Sequence, residues 1–186
     1  MAEPGSIEAR DYSRKIEYKK SIMFAIDSAN LYLFKTLLSD AVNFADVFTG
    51  KYCKMLYMDI ILDKDETYQY CEMLKILVTN ELIQYPYNPF DINPLLTQIE
   101  LSLDVYGKPF YACALLKKRL FLDILLKHKK YTVEEIDEIK KPSSSINKDI
   151  KDHILQSLPP GLGFSGKRKK SNKKRNSKKS NKKHLH

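Results

Sequence analysis

Ala25-Ile26 precedes Leu37-Leu38 by twelve positions, and Cys113-Ala114 precedes Leu125-Leu126 by the same twelve. Both stretches open on a lysine followed by a small residue or proline, Lys20-Ser21 and Lys108-Pro109. A middle stretch follows the scheme more loosely, with Met55-Leu56 leading and Ile76-Leu77 as its paired aliphatics. Such recurrence is the signature of helical pairs, each with one apolar face that it cannot bury alone. Neighbouring pairs must then stack, and three or four of them are just enough for a stable array.

The rest of the chain falls around these pairs. Residues 1–6 read as a frayed end, and Ile7 to Lys20, charged with apolar residues at Ile7, Tyr12, Ile16 and Tyr18, fits a marginal amphipathic helix. Within Ser21–Val42, two short helical stripes meet at Ser28-Ala29-Asn30, residues that suit a tight reversal. Asn43–Tyr52 carries β-prone and turn residues and predicts a loop or small hairpin. Met55–Leu62 and Cys71–Val78 form the second pair, separated by Asp63-Lys64-Asp65-Glu66. Pro86, Pro89 and Pro94 forbid a continuous helix between 85 and 94. Leu95–Leu103 is a short helical candidate, and Phe110–Leu116 with Leu120–His128 make the third pair. Thr132 with Glu135 has the form of a capping box and starts a helix over Val133–Lys140. Pro142 ends it, Asn147–Leu158 supplies the last helix, and Pro159-Pro160-Gly161 closes the domain.

Lys-Pro-Phe-Tyr-Ala-Cys-Ala at 108–114 resembles the Thr-Pro-Leu-His-x-Ala-Ala opening of the ankyrin repeat, and Leu122-Asp-Ile-Leu-Leu126 resembles its second-helix core. Ile22-Met-Phe-Ala-Ile26 and Phe34-Lys-Thr-Leu-Leu38 are similar in the same way. The chain departs from that pattern at the histidine position, which holds Met23, Tyr57 and Tyr111, so the Thr–His network of the family cannot form. Ala29 and Lys117 occupy the position of the turn glycine, and the paired aliphatics are spaced by 39 and 49 residues. The resemblance implies an all-α fold, a short solenoid of stacked helix-turn-helix, ankyrin-like repeats with enlarged loops; composition adds a disordered basic C-terminal tail after it. The expected divisions are an N-terminal helix over 1–19, the repeat domain over 20–158, a Pro/Gly linker over 159–166 and the tail over 167–186. It further implies a non-enzymatic protein-protein interaction module. Its contacts would come from the aromatics at two loop tips, Phe48 and Tyr52 at one and Tyr85, Tyr87 and Phe90 at the other, residue types enriched at interfaces. The lysine- and asparagine-rich composition would suit an intracellular bacterium or a large virus, whose partners would be host proteins.

The net charge of +9 belongs to one end. Lys167–His186 holds eleven of the 32 Lys and Arg and none of the 23 Asp and Glu, which leaves residues 1–166 at a net −2. The argument from net charge for a basic binding surface on the folded part thereby loses its support. The tail cannot bury enough apolar surface to fold. Lys167, Arg168, Lys169 and Lys170, then Lys173, Lys174 and Arg175, then Lys178 and Lys179, have the form of a nuclear-import signal and equally of a polyanion-binding arm. The alternative function is therefore a nucleic-acid-associated helical protein gripping RNA or DNA mainly through this tail, with salt-sensitive affinity. No aromatic interleaves the lysines, which argues against base stacking.

Catalytic patterns are weak. Gly161-Leu-Gly-Phe-Ser-Gly166 matches G-x-G-x-x-G literally but follows two prolines, precedes a lysine run and has no later acidic residue for a ribose. It reads as a flexible joint. His128 and His153 lack an evident Ser or Cys partner, and the three cysteines, Cys53, Cys71 and Cys113, stand at no metal-ligand spacing. No cofactor and no metal are expected, and the cysteines read as small buried hydrophobes of a reducing compartment. The first residues lack the basic and apolar regions of a signal peptide, and no apolar run approaches the ~20 residues that span a bilayer. The expected location is intracellular and cytoplasmic, with nuclear entry an option in a eukaryotic cell. The oligomeric state is not legible.

Overall fold

The computed structural model describes residues 7–48, 50–83 and 108–163. Within them the chain is helical, with α1 (Ile7–Asp27), α2 (Leu31–Ser39), a 3-10 helix (Ala41–Val47), α3 (Gly50–Asp63), α4 (Tyr68–Thr79), α5 (Pro109–Leu115), α6 (Arg119–Lys127), α7 (Val133–Lys140) and α8 (Lys148–Ser157). No strand occurs among the described residues. None of their helices is long and apolar enough to cross a membrane. The expected helix over 95–103 lies outside the described residues.

The helices pack as antiparallel hairpins, α1 with α2, α3 with α4 and α5 with α6. Even-numbered helices also touch in series, α2 on α4, α4 on α6 and α6 on α8, while α3 packs on α5 and α5 on α7. α5 sits where these rows meet. Phe110, Tyr111, Ala112, Cys113 and Ala114 are buried in succession, and a helix apolar on every side belongs in the interior. Its small residues let α3, α6 and α7 approach closely. Ile22, Ala25, Ile26, Phe34, Leu56, Ile60, Leu74, Leu77, Phe121 and Leu125 complete the core around it.

Short helices leave backbone groups unpaired at both ends, and these ends are where the chain invests its polar side chains. The turns come first. Asn30 N–H donates to Ala25 O at 2.8 Å and Ala29 N–H to Ile26 O at 3.0 Å, the paired bonds of a Schellman motif. Lys118 and Lys117 repeat this against Cys113 and Ala114, and Lys130 and Lys129 against Leu125 and Leu126. The residue in the left-handed region is non-glycine each time, Ala29 (φ 51°), Lys117 (φ 60°) and Lys129 (φ 54°). Ala29 and Lys117 are the two residues that stand at the glycine position of the repeat pattern.

Helix starts are capped partly by their own residues and partly by neighbours. Asn30 Oδ1 accepts from Leu33 N–H at 2.9 Å in the ordinary way. The Thr132–Glu135 capping box is present, with Glu135 N–H donating to Thr132 Oγ1 at 3.1 Å and Thr132 N–H to Glu135 Oε2 at 2.8 Å. Glu135 does more than the box requires. It is buried, and its Oε1 accepts from the Phe110 and Tyr111 amides at 3.0 and 3.3 Å. A single carboxylate therefore caps α7 and α5 together. Glu66, in the preceding hairpin, acts in a similar way, its Oε1 accepting from Phe121 N–H of α6 at 2.8 Å. Beside it, Lys118 Nζ donates to Lys64 O.

Three expectations change. α1 runs unbroken through the division expected between residues 19 and 20, because Lys19 and Lys20 are good helix formers and nothing there stops the helix. Asn43–Tyr52 forms neither a hairpin nor an open loop. Asn43 N–H donates to Asp40 O at 3.0 Å and opens the 3-10 turn, Asn43 Nδ2 also donating to Asp40 Oδ1 at 2.8 Å, and Phe44, at φ −132°, kinks the chain while its ring is buried in the core. Residues 159–163 of the expected joint are a turn held on α8. Leu162 N–H donates to Pro159 O at 3.1 Å, and a Cβ at Gly163 would stand 2.7 Å from Leu155 O.

Substitutions at the helix ends test these ties. Glu135→Ala strands three amides and should lower unfolding free energy by about 3 kcal/mol, whereas Glu66→Ala should cost about 1 kcal/mol, both read by urea denaturation. Ala29→Gly and Lys117→Gly remove the left-handed penalty and should each raise stability by about 0.5–1 kcal/mol. Loss of stability in either glycine variant would contradict the turn assignment.

Candidate functional site

A surface groove of about 560 Å³ lies between the second half of α1 and the start of α3. Its wall on α1 is Lys19, Lys20, Met23, Phe24 and Asp27, and its wall on α3 is Tyr52 and Met55. The spacing follows from helix geometry: positions 20, 23, 24 and 27 share one side of α1, and 52 and 55 share one side of α3. Ile22, Ala25 and Ile26 use the opposite side of α1 for the core. Phe24 and Met55 are left 63% and 44% exposed, an apolar floor of one aromatic and two thioethers that can adapt to a guest.

Charge is distributed unevenly along the groove. Lys19 Nζ stands 5.1 Å from the Tyr52 ring centroid, a cation–π contact. Lys20 is exposed, and Glu17, one turn back, contacts it at 2.9 Å. At the other end Lys64 Nζ meets Asp27 Oδ1 at 2.7 Å, and this hydrogen bond raises the lysine's pKa. Burial, with Asp27 and Asp63 nearby, holds the Asp59 carboxyl above the usual carboxylate range. Each end thus holds an ion pair, Lys20 with Glu17 and Asp27 with Lys64, and Lys19 over the Tyr52 ring adds one further cation at the first.

The expected contact residues divide. Tyr52 lines the groove with the edge of a buried ring, and its hydroxyl donates to Lys19 O at 3.3 Å, tying α3 to α1. Phe48 is corrected from a loop-tip contact to a core residue. It is 7% exposed and meets Tyr18 edge-on, with ring centroids 6.2 Å apart. Phe44, at the same expected tip, stacks on Tyr18 at 4.0 Å. The 3-10 turn folds both rings inward, because an apolar ring gains more under α1 than in water. Tyr85, Tyr87 and Phe90 lie outside the described residues, as do Lys167, Arg168, Lys169, Lys170, Lys173, Lys174, Arg175, Lys178 and Lys179.

Sequence patterning alone does not mark Met23, Phe24 and Met55 as surface residues. A signal was present: Phe24 is a large apolar residue falling outside the stripe Ile22, Ala25, Ile26. Elsewhere, Cys53 and Cys113 are buried and Cys71 is half-buried, none of the three in a disulfide, and burial pushes the Cys113 thiol up. His153 Nε2 lies 2.7 Å from Asp123 Oδ1 and joins α8 to α6. No cluster of three or more potential metal ligands occurs among the described residues. No family model matches the chain, and neither a curated protein nor a solved structure matches it significantly.

The buried tyrosines of α1 and α3, Tyr18, Tyr52 and Tyr57, make the fold sensitive to alkali. Burial pushes the Tyr18 phenol from its ordinary 10 up to about 12, and burial raises Tyr52 and Tyr57 as well. A phenol whose folded value is raised contributes stability fully below pH 10, and that contribution is lost as pH climbs toward about 12. Tyr18→Phe should flatten this loss in denaturation midpoints measured from pH 9.5 upward. The wild-type phenols of Tyr18, Tyr52 and Tyr57 should ionise last in an ultraviolet titration.

Proposed function

We propose that this chain is a non-enzymatic protein-binding module, a short solenoid of ankyrin-like helical hairpins. It meets its partner through the α1–α3 groove, and its basic tail adds localisation or electrostatic grip. The observation that carries the reading is the coincidence of turn and surface. Ala29 and Lys117, at the glycine position of the resembled repeat, both adopt the left-handed conformation that position requires. The first helices of two successive hairpins then flank an apolar groove. Serial packing of α2, α4, α6 and α8 in one row, and of α3, α5 and α7 in the other, supports the stacked arrangement. Glu135 supports it too, since a carboxylate between α7 and α5 takes the place of the missing Thr–His network as a tie between neighbours.

Site-directed photo-crosslinking in the native cell tests this. A photoreactive phenylalanine analogue would replace Phe24 in the groove and, as a control, Tyr32, which is 82% exposed on α2. The expected result is a protein adduct from position 24 but not 32, unchanged by nuclease and by deletion of residues 167–186. Adducts that vanish with nuclease or with the tail would favour the nucleic-acid reading instead.

A further inference from the structure

We infer that the α1–α3 groove selects a short amphipathic peptide helix whose apolar anchors are flanked by carboxylates, the carboxylates seating at Lys19 and Lys20. This deepens, and rests on, the reading of the groove as the partner site. Two adjacent helices with an open seam form a slot for a third. The lining from Lys20 to Asp27 spans two helical turns, roughly 10 Å, which suits two or three anchors at i, i+3 and i+4. Phe24, Met23 and Met55 supply the apolar contacts.

Charge complementarity chooses the flank. Asp27 is already paired with Lys64 at 2.7 Å, with side-chain exposures of 60% and 17%. Lys20 and Glu17 are exposed at 68% and 69%, so that pair is held in water, where such a contact contributes little. A guest carboxylate arriving as the groove dries out can compete for Lys20 and join Lys19 over the Tyr52 ring. A lysine-flanked guest would face Lys19, Lys20 and Lys64 against only Glu17 and Asp27, three cations to two carboxylates. That one excess cation disfavours a lysine-flanked guest and favours a carboxylate-flanked one.

The full chain, labelled with carbon-13 on its methionine methyls, would be titrated with two synthetic helical peptides. Both carry leucine anchors at i, i+3, i+4 and i+7, one with glutamate flanks and one with lysine flanks. The Met23 and Met55 methyls should shift with the glutamate peptide, while that of Met73, buried in α4, stays in place. The glutamate peptide should bind at least ten-fold more tightly than the lysine peptide. Lys20→Glu should narrow that ratio to three-fold or less, and Phe24→Ser should abolish both sets of shifts with circular dichroism unchanged. Equal binding of the two peptides at Met23 and Met55 would overturn the charge selection and leave the groove as the partner site. No shift from either peptide, with a protein adduct still formed at position 24, would overturn the helical guest alone. No shift and no adduct would remove the inference and the proposed function together.

Discussion

One buried carboxylate fixes how the helical pairs of this protein can sit. Helices of seven to ten residues, such as α5 to α8, spend much of their length on unpaired end groups and are marginal alone. Glu135 resolves two such ends at once by accepting from Thr132, Phe110 and Tyr111. A carboxylate held by three amides can point only one way, so α7 and α5 are fixed in offset as well as in contact. Glu66 extends the principle to α6. Apolar burial holds the helices together, and the borrowed caps decide their register.

The turns work against the fold in a small way that the caps and core offset. Ala29, Lys117 and Lys129 each adopt a conformation that a glycine would take with less strain. The chain keeps the tight reversal because the Schellman bonds and the apolar faces on either side reward it. The same tight reversal returns α2 along α1 and leaves the far side of α1 uncovered by the described helices. The groove is thus a consequence of hairpin geometry: Ile22 and Ile26 go inward, and Phe24 faces away from the core.

Much of this was legible from apolar spacing. The reversal at Ser28-Ala29-Asn30, the pairs α3–α4 and α5–α6, the capping box at Thr132 and the final helix all follow from periodicity and end signals close in sequence. What was illegible depends on partners far along the chain. Glu135 looks like half of a local box, and only the fold brings the Phe110 amide, 25 residues away, to its second oxygen. Phe24 and Phe48 each directly follow an apolar residue, Met23 and Val47. Their opposite fates turn on the 3-10 kink at Phe44, a detail of backbone geometry that composition does not encode. The groove is less legible: Tyr52, expected at a loop tip, lies in α3 and lines the groove with a buried ring.

Capping of helix starts across hairpins by acidic side chains is what the whole arrangement stands on, and native-state hydrogen exchange probes it most directly. Amides in the first turn of a helix ordinarily exchange fast, because they have no partner within the helix. Here Phe110, Tyr111 and Phe121 should exchange only through global unfolding, with protection matching that of mid-helix amides such as Leu125. Exchange of those three amides at the rate of open chain, with Leu125 still protected, would contradict it.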